Sequence, residues 1–90
     1  MVLTPNRETG GSRKYTVEAT YNEIVKTIGF KDNVTDMDDD DKVKASWGFQ
    51  DESGRQGFIW CYKQSKRSCT RWSAFGSLDL LKELFPGKVS

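Results

Sequence analysis

The 90-residue sequence contains no histidine. That removes the side chain most often used as a general base near neutral pH and most often found ligating metals, and it excludes any Ser–His or Cys–His pair. Only two cysteines, Cys61 and Cys69, are present. Their spacing is not that of a CxxC knuckle, and together they supply at most half of a zinc site. No apolar run approaches ~18 residues, which argues against a membrane-spanning helix. Net charge is nearly absent, at +1, whereas a generic polyanion binder is strongly basic. Also missing are a P-loop, a GxGxxG turn and a GxSxG elbow. Only Asp, Glu, Lys, Tyr and Cys remain for chemistry, so the expectation is a non-enzyme with no catalytic residue, no metal and no cofactor.

What charge there is lies unevenly. Acids crowd into one stretch, with Asp32, Asp36, Asp38, Asp39, Asp40 and Asp41 uninterrupted by a base. Bases crowd into another, with Arg55, Lys63, Lys66, Arg67 and Arg71 uninterrupted by an acid. Asp36, Asp38 and Asp40 alternate like the start of a calcium loop, but Asp41 stands where such a loop needs glycine and Trp47 where it needs a bidentate Glu. The acidic run is either a solvated loop or a patch complementary to a basic partner.

Residues 1–14 are polar, with Gly10-Gly11 and little to bury, and read as a flexible tail. They contain no hydrophobic signal core, and Val2 after Met1 excludes myristoylation. The chain is therefore expected in the cytoplasm or nucleus, with both cysteines reduced. Residues 15–90 read as one domain. After a short extended piece at Tyr15 to Ala19, Thr20-Tyr21-Asn22-Glu23 fits a capping box. Tyr21, Ile24, Val25 and Ile28 then share one helical face, and Gly29 supplies the stop. Val43 to Gln50 alternates like a strand, Asp51 to Gly54 fits a hairpin loop, and Gly57 to Lys63 and Thr70 to Phe75 read as two further strands. Ser77 caps a last helix, with Leu78, Leu81, Leu84 and Phe85 on one face and Pro86-Gly87 ending it. The expected class is α+β: a three-stranded antiparallel meander with one helix before and one after, both packed on one sheet face.

Register assigns the aromatics. If four residues, Asp51 to Gly54, close the first hairpin, Gln50 faces Arg55, Trp47 faces Phe58, Ala45 faces Trp60 and Val43 faces Tyr62. One face then carries Val43, Ala45, Trp47, Phe49, Phe58, Trp60 and Tyr62, joined by Trp72 and Ala74, as the core under the helices. A bulge at Gly54 would reverse the relation of the first two strands. The opposite face carries Lys44, Ser46, Gln50, Arg55, Ile59, Cys61, Lys63, Arg71, Ser73 and Phe75, with Lys66 and Arg67 at one end. It is either a solvated sheet back or a contact surface of mixed apolar and basic character. The candidate binding residues are Lys44, Ile59, Lys63, Lys66, Arg67, Arg71 and Phe75. The second candidate is the acidic patch of Asp36, Asp38, Asp39, Asp40 and Asp41.

The residues Thr20, Tyr21, Glu23 and Gly29, then Lys42, Val43, Trp47 and Phe49, then Gly54, Ile59, Trp60, Tyr62 and Lys63, and finally Trp72 and Gly76 follow a "TYxE…G" helix, a "KV…WxF" strand, a glycine turn, an "I-aromatic-x-Y-K" strand and a "W…G" strand. In this, Thr20 to Phe85 resembles a group of small uncharacterised proteins encoded by phages and large DNA viruses. Their "WHIGG" ending is "WSAFGS" here, so any role of that histidine is absent. The resemblance implies a viral origin and a host-directed interaction. The expected function is thus a small interaction module binding a protein partner. Nucleic acid or nucleotide bound through the basic open face is the alternative. No membrane partner is expected, and the oligomeric state is left open, a homodimer included.

Overall fold

A computed structural model describes residues 2–6, 14–32, 43–62 and 68–90. The fold is α+β, with two helices and a five-stranded antiparallel sheet. In chain order the elements are β1 (Leu3–Pro5), β2 (Tyr15–Glu18), α1 (Tyr21–Ile28), β3 (Val43–Asp51), β4 (Gln56–Tyr62), β5 (Arg71–Gly76) and α2 (Leu78–Leu84). The strands lie in the order β1-β3-β4-β5-β2. The expected meander therefore forms the middle of a wider sheet, and two short strands flank it. β1 corrects the reading of the first residues as a tail: Leu3–Pro5 pairs with Asp51, Gln50 and Phe49. A three-residue strand containing proline carries too little periodicity to be read from sequence, and it suits an edge. The remainder of the expected tail, residues 7–13, lies outside the described residues. β2 pairs with β5. Its outer side is closed by the C-terminal residues: Thr16 and Ser90 exchange backbone hydrogen bonds of 2.7 and 2.9 Å, and the Glu18 amide donates to the Lys88 carbonyl at 2.9 Å. Pairing of this kind keeps an edge from templating aggregation.

Both helix starts form as their sequences dictate. Thr20 accepts from the Glu23 amide at 3.2 Å, and the Glu23 carboxylate accepts from the Thr20 amide at 2.9 Å, completing the capping box. Gly29 ends α1 at φ 99°, its amide donating to the Val25 carbonyl at 2.8 Å. Ser77 caps α2 by accepting from the Leu80 amide at 3.2 Å. On α2 the fully buried residues are Leu80 and Leu81, with Phe85 beyond its end, while Leu78 is only partly buried.

The first hairpin departs from the expected register by one residue. Asp51 remains in β3 as the last strand residue, so the loop is Glu52, Ser53 and Gly54. Trp47 then faces Ile59, Gly48 faces Phe58 and Ser46 faces Trp60. The Asp51 side chain is the cause. One carboxylate oxygen accepts from the Ser53 amide (3.0 Å), the Ser53 hydroxyl (2.9 Å) and the Arg55 amide (2.8 Å). The other accepts from Arg55 Nε at 2.7 Å. The Asp51 amide bonds the Arg55 carbonyl, the Gly54 amide bonds the Asp51 carbonyl, and Gly54 takes φ 90°. This is a three-residue loop closed by a left-handed glycine. A one-residue slip turns every side chain of a strand to the other face, so Ile59 and Cys61 enter the main core while Phe58 and Trp60 leave it. A bulge between Val43 and Ala45 then restores the expected pairing of Val43 with Tyr62.

The main core gathers Trp47, Phe49, Ile59, Cys61, Trp72 and Ala74 from the sheet with Ile24 and Ile28 of α1 and Leu80 and Leu81 of α2. Trp47 and Trp72 meet edge to face, 5.4 Å between ring centres. Each indole is satisfied as burial requires: Trp47 Nε1 donates to the Phe30 carbonyl at 2.9 Å and Trp72 Nε1 to the Ala19 carbonyl at 2.8 Å. A separate cluster pairs Phe58 with Trp60, ring centres 4.9 Å apart, with Phe75 packed against them. All three tryptophans are buried, as the sequence suggested, but Trp60 belongs to this second cluster.

The expectation of two free thiols is overturned. Cys61 and Cys69 are joined in a disulfide, Cα atoms 6.5 Å apart. The expected register left the two cysteines not directly opposed on the open face, whereas the observed one brings Cys61 into the core beside Cys69. Cys69 Sγ lies 3.5 Å from the Arg71 carbonyl oxygen; bonded to Cys61 it has no proton to donate, so this is a contact and not a hydrogen bond.

Candidate functional site

Alternation along Arg71–Gly76 places Trp72 and Ala74 in the main core and turns Arg71, Ser73 and Phe75 the other way. Arg71 begins β5, exposed, and pairs across the ladder with Glu18 at the end of β2. The chain turns there from β2 into α1, and the Ala19 amide holds the turn to the Thr70 carbonyl at 3.0 Å. An open groove of about 480 Å³ results, lined by Glu18, Ala19, Thr20, Glu23, Thr70 and Arg71.

The groove's electrostatics are set by neighbours. Lys88 Nζ bonds the Glu23 carboxylate at 2.9 Å. This contact and the amide and hydroxyl of Thr20 hold Glu23 at about 2, well below the usual carboxylate range. Glu23 is thus a fixed negative charge at neutral pH and no proton carrier. Arg71, also in the lining, supplies the opposite sign. The groove offers charges of both signs beside the apolar Ala19, a combination suited to binding rather than to proton transfer.

A second ionic group lies at the hairpin. Burial pushes the Asp51 carboxyl up, but hydrogen bonds from the Arg55 side chain, from Ser53 and from the Arg55 amide outweigh it and hold the group at about 2. Arg55 extends to Glu83 of α2 through two hydrogen bonds of 3.1 and 3.0 Å. Those bonds keep Glu83 below its ordinary range and Arg55 firmly protonated. The sequence placed Arg55 on an open basic face; its guanidinium is instead taken up in tying the hairpin to a helix.

The sequence-derived site is only partly brought together. Arg71 is exposed. Ile59 is fully buried between Trp47 and Ala74, so it leaves the candidate surface; the three-residue hairpin loop is the reason. Phe75 packs on Phe58 and Trp60 and is partly buried. Lys44 lies at the β3 bulge, and its side chain is outside the described residues. Lys63, Lys66 and Arg67 lie outside them too, as does the acidic patch of Asp36, Asp38, Asp39, Asp40 and Asp41. The groove adds Glu18, Glu23 and Thr70, which sequence reasoning did not select for binding. Glu23 was visible only as a cap, and Glu18 joins Arg71 only once β2 is known to flank β5. Among the described residues no group of three or more Cys, Asp or Glu side chains is placed to hold a metal ion, and no helix is long and apolar enough to cross a membrane. Compared with known proteins, the chain matches no family model, no curated protein and no solved structure.

Proposed function

We propose that this chain is a small non-enzymatic interaction module whose contact surface centres on the groove beside Arg71. The supporting observation is that groove: its lining includes the exposed Arg71 and a glutamate whose charge is fixed by Lys88 and Thr20. The ordered backbone at its floor, tied by the Ala19–Thr70 hydrogen bond, makes it a preformed site. In this reading both helices lie on one face of the sheet, since residues of both share the cluster with Trp47, Ile59 and Trp72. Lys44, Lys63, Lys66 and Arg67 extend the surface in sequence, and the aspartates from Asp36 to Asp41 are a second point of contact for a basic partner. The resemblance to phage and large-virus proteins favours a host protein as the partner. The Cys61–Cys69 bond departs from what the intracellular placement read from the sequence implied for the cysteines.

A pulldown from lysate, with and without nuclease, tests the reading. The expected result is a protein captured in both conditions by the native chain and lost with Arg71→Glu. Capture that disappears with nuclease, and binding that falls steeply with salt, would replace it with the nucleic-acid reading. The packing of Phe75 against Phe58 and Trp60 weighs against that alternative, because it takes up part of the ring.

A further inference from the structure

Cys61 and Cys69 are 0% and 1% exposed, and both belong to the main core together with Trp72, Ile24 and Leu80. The bond joins the end of β4 to the residues leading into β5, closing a ring from residue 61 to residue 69. Two properties follow. Reduction would remove the constraint that the ring places on the unfolded chain. It would also force two sulfurs from bonding distance to van der Waals separation inside a close-packed interior, where added volume is poorly tolerated. A domain this small has little stability to spare. The bond is also shielded, because exchange needs a thiolate to reach a sulfur and both cysteines are almost wholly buried.

We propose that Cys61–Cys69 is a buried redox lock: the native fold depends on the bond, and the native fold in turn protects the bond from reductant. The chain would then be suited to surroundings in which disulfides form. Once oxidised, it would persist through exposure to mild reductants. Unlocking follows ordinary exchange. A thiolate of a dithiol reductant attacks one sulfur, the Cys61–Cys69 bond breaks as a mixed disulfide forms, and the other cysteine leaves as a thiolate. The second thiol of the reductant then closes on the mixed disulfide. The dithiol ends as a cyclic disulfide, and the two cysteines gain two electrons and two protons.

The test treats the full oxidised chain with dithiothreitol in native buffer and, separately, in concentrated guanidinium chloride. Released thiols are trapped with iodoacetamide and counted by mass spectrometry over time. Melting curves are recorded for the oxidised chain, for the chain reduced in denaturant and refolded, and for the Cys61→Ala, Cys69→Ala double variant. Native-buffer reduction is expected to be at least about ten-fold slower than reduction in denaturant. The reduced and double-variant chains are expected to melt about 10 °C or more below the oxidised chain, or not to fold at all. Equal reduction rates in the two buffers would overturn the shielding, and equal melting temperatures would overturn the dependence; either result refutes the lock.

Discussion

The two apolar clusters of this molecule come from the same strands but differ in what they join. The main cluster joins sheet residues to the helices and loops: Trp47 touches the Tyr21 ring of α1 and donates to the Phe30 carbonyl, and Trp72 donates to the Ala19 carbonyl. Among the described residues, Phe58 and Trp60 of β4 and Phe75 of β5 form the second cluster. Adjacent residues Trp60 and Cys61 therefore serve different ends, because alternation sends them to opposite sides. The lesson is that an aromatic in a strand is not core by virtue of its size. Its parity, fixed here by the Asp51 carboxylate at the hairpin, decides which cluster it builds.

The comparison predicts its own hierarchy of losses. Trp72→Ala should cost most, about 3–5 kcal/mol, because it opens a cavity in the main cluster and strands the Ala19 carbonyl. Chemical denaturation would show it, and a variant of native stability would break the claim that this cluster holds the fold. Trp60→Ala should cost less, about 3 kcal/mol, since its cluster is small and can collapse more easily. A loss larger than that of Trp72→Ala would invert the ranking.

Acid should act on both ionic anchors. Glu23 and Asp51 have folded-state values lowered to about 2 from ordinary values of 4.5 and 3.8. Groups lowered on folding stabilise fully above their unfolded values, and the contribution is lost as pH falls toward the folded ones. Melting temperature should therefore hold near neutrality and drop between about pH 4.5 and 2. Asp51→Asn should be less stable at neutral pH and less sensitive to acid, and an unchanged pH profile in that variant would remove Asp51 as an anchor. The smallest effect belongs to Arg71→Glu, expected within about ±0.5 kcal/mol by the same denaturation assay, because the residue is exposed. A larger loss would mean that Arg71 is structural and that its binding phenotype cannot be read as contact.

The helices were legible because their signals are local. Thr20, Glu23 and Gly29 lie within ten residues of one another, and each does in three dimensions what its type suggests. The glycine-ended hairpin was legible as a hairpin but not in its register, because a four-residue loop at Asp51 to Gly54 and a three-residue loop at Glu52 to Gly54 fit the same letters. What separates them is a set of hydrogen bonds to one carboxylate. That single ambiguity misplaced Ile59 in the candidate site and put Trp60 in the wrong cluster. β1 was hidden because three residues carry no pattern, and the disulfide because its geometry depends on the register. Arg71 is exposed, as expected, because Trp72 and Ala74 fixed the parity of β5 independently of the first hairpin.

The register of β3 against β4 is the central claim, and backbone proton contacts measured by NMR test it most directly. The account predicts cross-strand contacts pairing Trp47 with Ile59, Phe49 with Gly57 and Ser46 with Trp60. Contacts pairing Trp47 with Phe58 and Gln50 with Arg55 would contradict it, and would return Ile59 to the open face and Trp60 to the main core.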